Sequence, residues 1–251
     1  MAIPIKNDNQ LARMREAGRV VAEVFALLKA SVRPGVSTRD LERLAVTQMR
    51  KYGAKPSFRG YRDFPGSICT SVNSEVIHGI PGIKKLKSGD IISIDVGVFL
   101  NGFHADAART YPVGEVTPEA LRLIDVTRES FYKSIEHAKP GRHLFDISAA
   151  VQDYVEMFGF SVVKEYVGHG VGKELHEDPQ IPMYRQKNRG PRLCKGMTLA
   201  IEPMVNQGTH EVDTLSDDWT VVTKDGALSA HYENTVLITD GEPEILTKLA
   251  R

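Results

Sequence analysis

The chain has 251 residues and balances 32 Lys+Arg against 32 Asp+Glu, so it carries no global basic field for nucleic acid. Its length supplies ample core, read here as a single domain over 1–251. The polar start MAIPIKNDNQ excludes a secretory signal and no run reaches membrane-spanning length, while two cysteines, Cys69 and Cys194, suit free thiols in a reducing cytoplasm.

Asn7 or Asp8 caps a first helix with Leu11, Met14, Val21, Val24 and Leu28 on one stripe. RPGVSTRDLERLAVTQMRKYG reads as a loop, a capping box of Ser37 and Asp40, a second helix and a glycine stop at Gly53. IISIDVGVFLNGFHADAART, Ile91 to Thr110, then reads as a β-hairpin turning at Asn101-Gly102. The two-residue turn pairs Leu100 with Phe103, Gly97 with Asp106 and Asp95 with Ala108. Asp95 and Asp106 therefore share a face as diagonal neighbours, roughly 7–8 Å apart at the backbone. Two acids so placed repel unless a proton or a cation lies between them.

Thr117-Pro118-Glu119 opens a third helix, and KPGRHLFDISAAVQDYVEMFG repeats the loop–helix–glycine grammar, stopping at Gly159. Pro34, Gly35, Asp40, Leu41, Tyr52 and Gly53 fall on Pro140, Gly141, Asp146, Ile147, Phe158 and Gly159. EVIHGIPG resembles KEYVGHGVG, setting His78 against His169, and KSGDIISID resembles CKGMTLAIE, setting Asp95 against Glu202. The chain is thus a doubled α+β unit. If its halves pack about a pseudo-twofold axis, equivalent strands meet there and Asp95 faces Glu202.

The second half adds His169 and His176 in GHGVGKELHEDP, Glu202 in AIEPMVN and Glu233 in SAHYENT. Singly, a strand Glu lies on a wet face and a lone His is a satisfied polar residue. Together, two Asp, two Glu and one His make an oxygen-rich set that suits paired divalent ions such as Mn, Fe, Co or Zn. Paired ions sit about 3.5–4 Å apart in two-metal hydrolases and need bridging carboxylates. Asp106 and Glu233 suit the bridges, and Asp95 a terminal position.

HGIP at His78, the Asp95 and Asp106 pair, GHGVG at His169, HEDPQIP at His176, IEPMV at Glu202 and SAHYENT at Glu233 resemble the type I methionine aminopeptidases, in their minimal bacterial form, across essentially the whole chain. The resemblance implies the pita-bread α+β fold, antiparallel strands covered by helices on the outer side. It gives Asp95, Asp106, His169, Glu202 and Glu233 the five metal-ligand positions for two divalent ions, and His78 and His176 the two further catalytic histidines. His104 shares a face with Asp106, but the family pattern gives it no role. Tyr61, Phe64, Cys69, His78, Leu175 and Trp219 would surround the methionine side chain. Leu175 stands where a bulkier Phe or Met is frequent, Ser74 replaces a frequent Glu, and Phe58 occupies a position that is Cys in some members.

The implied reaction is hydrolysis of the first peptide bond after an N-terminal methionine, with a small second residue preferred. A metal-bridged hydroxide would attack, Glu202 would shuttle the proton, His176 would bind the oxyanion, and His78 would hold the amide nitrogen of the second residue. The implied substrates are nascent chains after deformylation, met with transient ribosome contact by a cytoplasmic monomer with no nucleic-acid specificity and no membrane attachment. Four rivals stand beside this reading. An X-Pro aminopeptidase or creatinase-like enzyme would carry an extra N-terminal domain, and a non-catalytic module of the same fold would lose metal ligands. A two-metal phosphatase lacks support from any P-loop, and a Cys–His hydrolase would leave the five acids and histidines unexplained.

Overall fold

A computed structural model describes residues 3–249. Helix α1 spans Asp8–Ser31, and its capping box pairs Asn7 with Gln10 in both directions. Its buried side holds the expected Leu11, Met14, Val21, Val24 and Leu28, together with Ala17, Gly18 and Val20. Gly18 is required there, because a Cβ would stand 2.2 Å from the carbonyl oxygen of Leu246. Helix α2, Thr38–Lys51, begins at the Ser37–Asp40 box and ends at Gly53 with φ +67°. Helices α3, Pro118–Ile135, and α4, Leu144–Glu156, begin after Thr117 and His143.

The strands Ile91–Leu100 and Phe103–Pro112 form the expected hairpin, with Leu100 opposite Phe103, Gly97 opposite Asp106 and Asp95 opposite Ala108. Asn101 and Gly102 take φ of 51° and 83°, the two positive values a type I′ turn demands. Helices α1 and α2 pack on this hairpin around Ile92, Ile94, Val96 and Ala105. Helices α3 and α4 pack in the same way on the second half, around Leu199, Ile201, Val205 and Val236. Every paired strand is antiparallel.

The repeat recurs in the backbone bonds. Gly35 N–H donates to Leu86 O at 2.8 Å and Gly141 N–H to Leu193 O at 3.2 Å. Gly89 N–H donates to Val113 O at 3.0 Å and Gly196 N–H to Ile238 O at 2.9 Å. The strand Thr198–Ile201 pairs with Asn234–Leu237 as the second half's counterpart of the hairpin.

Two sequence expectations need correction. The strands that meet between the halves are the return strands, not those bearing Asp95 and Glu202. Ala108 and Glu233 exchange backbone bonds at 3.3 and 2.9 Å. On one side of this pair, Thr235 Oγ1 accepts from Asp106 N–H and donates to Asp106 O, both at 2.9 Å. On the other, Thr110 Oγ1 accepts from His231 N–H and donates to His231 O, both at 2.9 Å. Secondly, His78 is not the counterpart of His169. Ser71 pairs with Ser93 and His169 with Ala200, so with Asp95 set on Glu202 the register places His169 on Ser71. The likeness of EVIHGIPG to KEYVGHGVG reflects shared glycines, not equivalent positions.

Replacing Thr235 by Val keeps the volume but orphans the buried Asp106 N–H and C=O. Each orphaned group costs about 1–3 kcal/mol. T235V is therefore expected to lower the urea midpoint sharply, whereas T235S, which keeps the hydroxyl, stays near the parent.

Candidate active site

The meeting of the return strands lines up one acid per strand. Asp95 lies on Ile91–Leu100, Asp106 on its hairpin partner, Glu233 just before Asn234–Leu237, and Glu202 at the end of Thr198–Ile201. His169 follows on Gly168–Gly170, opposite Ala200. All five line one cleft of about 400 Å³. Asp106, His169 and Glu233 offer ligand atoms within 4.8 Å of one another. His169 Nε2 stands 3.6 Å from Glu202 Oε1.

Burial shapes the chemistry of this row. It pushes the Asp106 carboxyl up to about 7, and it raises Asp95, Glu202 and Glu233 well above their usual range, with neighbouring carboxylates adding to the rise. Buried oxygens of Asp95, Asp106 and Glu233 have no hydrogen-bond partner. Such groups are costly in a folded protein unless something binds them. His169 Nδ1 lies 2.8 Å from Gly170 O, so donation to that carbonyl leaves Nε2 free as a ligand toward the acids. Crowded acids, orphaned oxygens and an oriented imidazole fit divalent cations. His104 is not among the residues that line this cleft, and its Nδ1 bonds Ser57 Oγ at 2.9 Å.

The two further histidines stand on the cleft walls. His176 Nδ1 is 2.8 Å from Tyr61 Oη, and its ring centroid is 4.1 Å from that of His169. A tyrosine O–H donated to Nδ1 leaves the proton on Nε2, the tautomer that an anion-binding histidine needs. His78 adopts φ +60°, a strained value for a residue with a Cβ. Gly79 secures that turn, donating to Ser71 Oγ at 3.1 Å and accepting from Thr70 N–H at 2.8 Å. A Cβ at Gly79 would lie 2.2 Å from Thr70 O.

Tyr61, Phe64, Cys69, Leu175 and Trp219 line the same cleft as the acids. Phe64 and Trp219 meet edge to face at 5.0 Å, and Phe58 packs with Phe64, Cys69 and Leu175. Phe64 and Leu175 are at once deeply buried and cleft-lining. Cys69 pairs across the strand with Asp95. Burial and the fields of Asp95, Asp106 and Glu233 push its thiol well up, so it forms a soft wall and not a nucleophile.

Sequence reasoning missed several cleft residues, among them Arg62, Ile77, Glu165, Tyr166, Val167 and Gln180. It also missed His231, buried with an unpartnered Nε2 that lies 3.7 Å from Glu202 Oε2. The threonine pair exposes a signal that was present: set Thr110 on Thr235 and Asp106 falls on His231.

These shifts fix a stability profile for the metal-free protein. Carboxylates raised by folding contribute stability below their unfolded pKa, near 4, which is lost as pH rises through the folded values. His78, His104, His169, His176 and His231, lowered by burial to between about 3 and about 4, act oppositely, but only up to about pH 7.5, above which an unfolded histidine is neutral. Above that pH the carboxylates dominate. Chelated protein is expected to unfold at a lower temperature at pH 8.5 than at pH 7.5 by calorimetry. Saturating Mn²⁺ should remove the difference; a chelated protein indifferent to pH would contradict the cation row.

Over residues 12–240 the sequence matches the metallopeptidase family M24. It is 58% identical to a methionine aminopeptidase of Clostridium acetobutylicum, over 98% of both chains. It is 56% identical to methionine aminopeptidase 1 of Bacillus subtilis, over 97% of this chain and 98% of that one. The structure superposes on the methionine aminopeptidase of Thermotoga maritima with a TM-score of 0.97 at 46% identity, covering 99% of this chain and 100% of that one. A prolidase from Pyrococcus furiosus shares the fold at a TM-score of 0.78 and 24% identity, this chain spanning 66% of its length. The chain carries the pita-bread fold, is a metallo-aminopeptidase, and belongs to metallopeptidase family M24.

Proposed function

We propose that this chain is a methionyl aminopeptidase that hydrolyses the first peptide bond of polypeptides beginning with methionine, preferring a small second residue. The observation that carries this reading is the joining, in one cleft, of a five-residue row with orphaned oxygens to an apolar slot of aromatic and sulfur-bearing walls. Its relatives at 58% and 56% identity bear the name methionine aminopeptidase.

Asp95, Asp106, His169, Glu202 and Glu233 would hold two divalent ions, of Co, Mn, Fe or Zn. Bound there, such ions supply Lewis acidity and lower the pKa of water toward about 7. Glu202 takes the proton of the attacking water on a carboxylate oxygen and passes it to the departing amine. His176 donates from Nε2 to the oxygen that gains charge. His78, fixed by its turn, orients the amide nitrogen of the second residue. Tyr61, Phe64, Cys69, Leu175 and Trp219 enclose the thioether, for which an apolar slot with a soft thiol is suited.

The substrates are nascent N-termini freed of their formyl group. We place the enzyme in the cytoplasm as a monomer with transient ribosome contact. Among the described residues no helix is long and apolar enough to cross a membrane.

Two measurements test the reading. Chelated protein given back Mn²⁺, Co²⁺ or Fe²⁺ should release methionine from Met-Ala-Ser and nothing from Leu-Ala-Ser. Equal cleavage of both would overturn the slot, and no cleavage with any metal would overturn the activity. H176A should lose on the order of 10²–10³ in kcat with its metal stoichiometry intact. An unchanged kcat would remove His176 from its role.

A further inference from the structure

The loop 171–177 carries both Leu175 of the apolar slot and His176, and it is wound around one carboxylate. Glu177 Oε1 accepts from Lys173 N–H at 2.8 Å and from Glu174 N–H at 3.3 Å. Its other oxygen lies 2.5 Å from Lys6 Nζ, with both side chains at least nine-tenths buried. Lys6 reaches it from the segment ahead of α1, across 171 residues of chain.

That segment is pinned. Lys6 N–H donates to Gly196 O at 2.9 Å, and Asn7 caps α1. Leu11 and Met14 of α1 pack with Val171, the residue that opens the loop. The lysine stem passes directly over Gly172, where a Cβ would lie 2.6 Å from Lys6 Cε and 2.5 Å from Glu177 Oε1. A larger residue at 172 would push both side chains of the pair aside. The burial is hard to explain as a device for stability, because a buried ion pair roughly breaks even against apolar residues of the same shape. What the pair does fix is geometry. Glu177 follows His176 in the chain, and oxyanion stabilisation depends on donors held within a few tenths of an ångström.

We infer that the Lys6–Glu177 ion pair is a positioning strap, by which the segment ahead of α1 holds the 171–177 loop so that His176 meets the tetrahedral centre of the reaction. This rests on the role proposed above for His176. Lys6 touches no reacting atom and acts through the loop. Removing it therefore weakens binding of a tetrahedral species and spares binding of a planar one.

The test uses Mn²⁺-loaded full-length protein and calorimetric affinities for two probes, free methionine and its phosphonic acid analogue, which carries a tetrahedral anionic group. The variants are K6M, H176A and the double variant. E177Q, which keeps an oxygen for the Lys173 and Glu174 amides, serves where K6M fails to fold. K6M is expected to weaken the phosphonate about tenfold and methionine less than about twofold, and to add nothing in the H176A background, as coupling through one residue requires. Equal weakening of both probes, or effects of K6M and H176A that multiply, would overturn the strap and leave Lys6 a general structural residue. A phosphonate affinity unmoved by K6M alone would overturn the strap while leaving His176 its role. One unmoved by H176A would overturn that role and the strap with it.

Discussion

Four carboxylates buried side by side in one cleft are the constraint on which the rest of this structure depends. Burial penalises their charged forms, and neighbouring carboxylates raise Asp95, Glu202 and Glu233 further. A fold left to minimise its own energy would scatter such groups to the surface. Here Asp95 and Asp106 sit on paired strands and Glu202 and Glu233 at the ends of two others, and the pairing of those strands fixes the spacing between neighbours. The threonine hydroxyls at the junction serve that spacing. By closing backbone bonds between strands that lack a regular ladder, Thr110 and Thr235 hold Asp106 and Glu233 side by side without a bridging residue between the halves.

The doubled architecture supplies the frame, and its departures from symmetry supply the chemistry. Asp95 and Glu202 are counterparts and keep the same charge. Asp106 has His231 as its counterpart, and Glu233 has Ala108, so the acids are not distributed evenly between equivalent positions. Ser71, the register counterpart of His169, donates no ligand and instead accepts from Gly79 to hold the turn of His78. One half thus places an imidazole on the acid row, and the other uses the same strand position to build a wall of the cleft.

Much of this was legible in the sequence because it follows from local rules. Asn101-Gly102 fixed the hairpin register, which put Asp95 and Asp106 on one face. The box of Ser37 and Asp40, the cap at Asn7 or Asp8, and the stops at Gly53 and Gly159 marked helix ends through bonds made within a few residues. The acids stood out because aspartate and glutamate are misplaced in apolar strands. What remained hidden was nonlocal or carried by ordinary residues. A threonine that bonds a backbone 129 residues away looks like any strand threonine. Lys6 looks like a surface lysine beside a helix start. The positive φ of His78 has no signature in its side chain and is imposed by the close approach of Gly79 to Thr70.

The same field links the acid row to the apolar slot. Cys69 stands opposite Asp95, where a thiolate would be a soft-metal ligand. Burial and three neighbouring carboxylates oppose its ionisation. A thiol so held is a weak ligand and a small apolar wall, as the slot requires. The acid row thus has two consequences: the cost of burying its carboxylates creates the demand for cations, and together with burial those carboxylates hold the nearest sulfur in its thiol form. A cysteine can therefore line a pocket one strand away from the acid row as a small apolar wall, its thiol form set by burial and by the neighbouring carboxylates together.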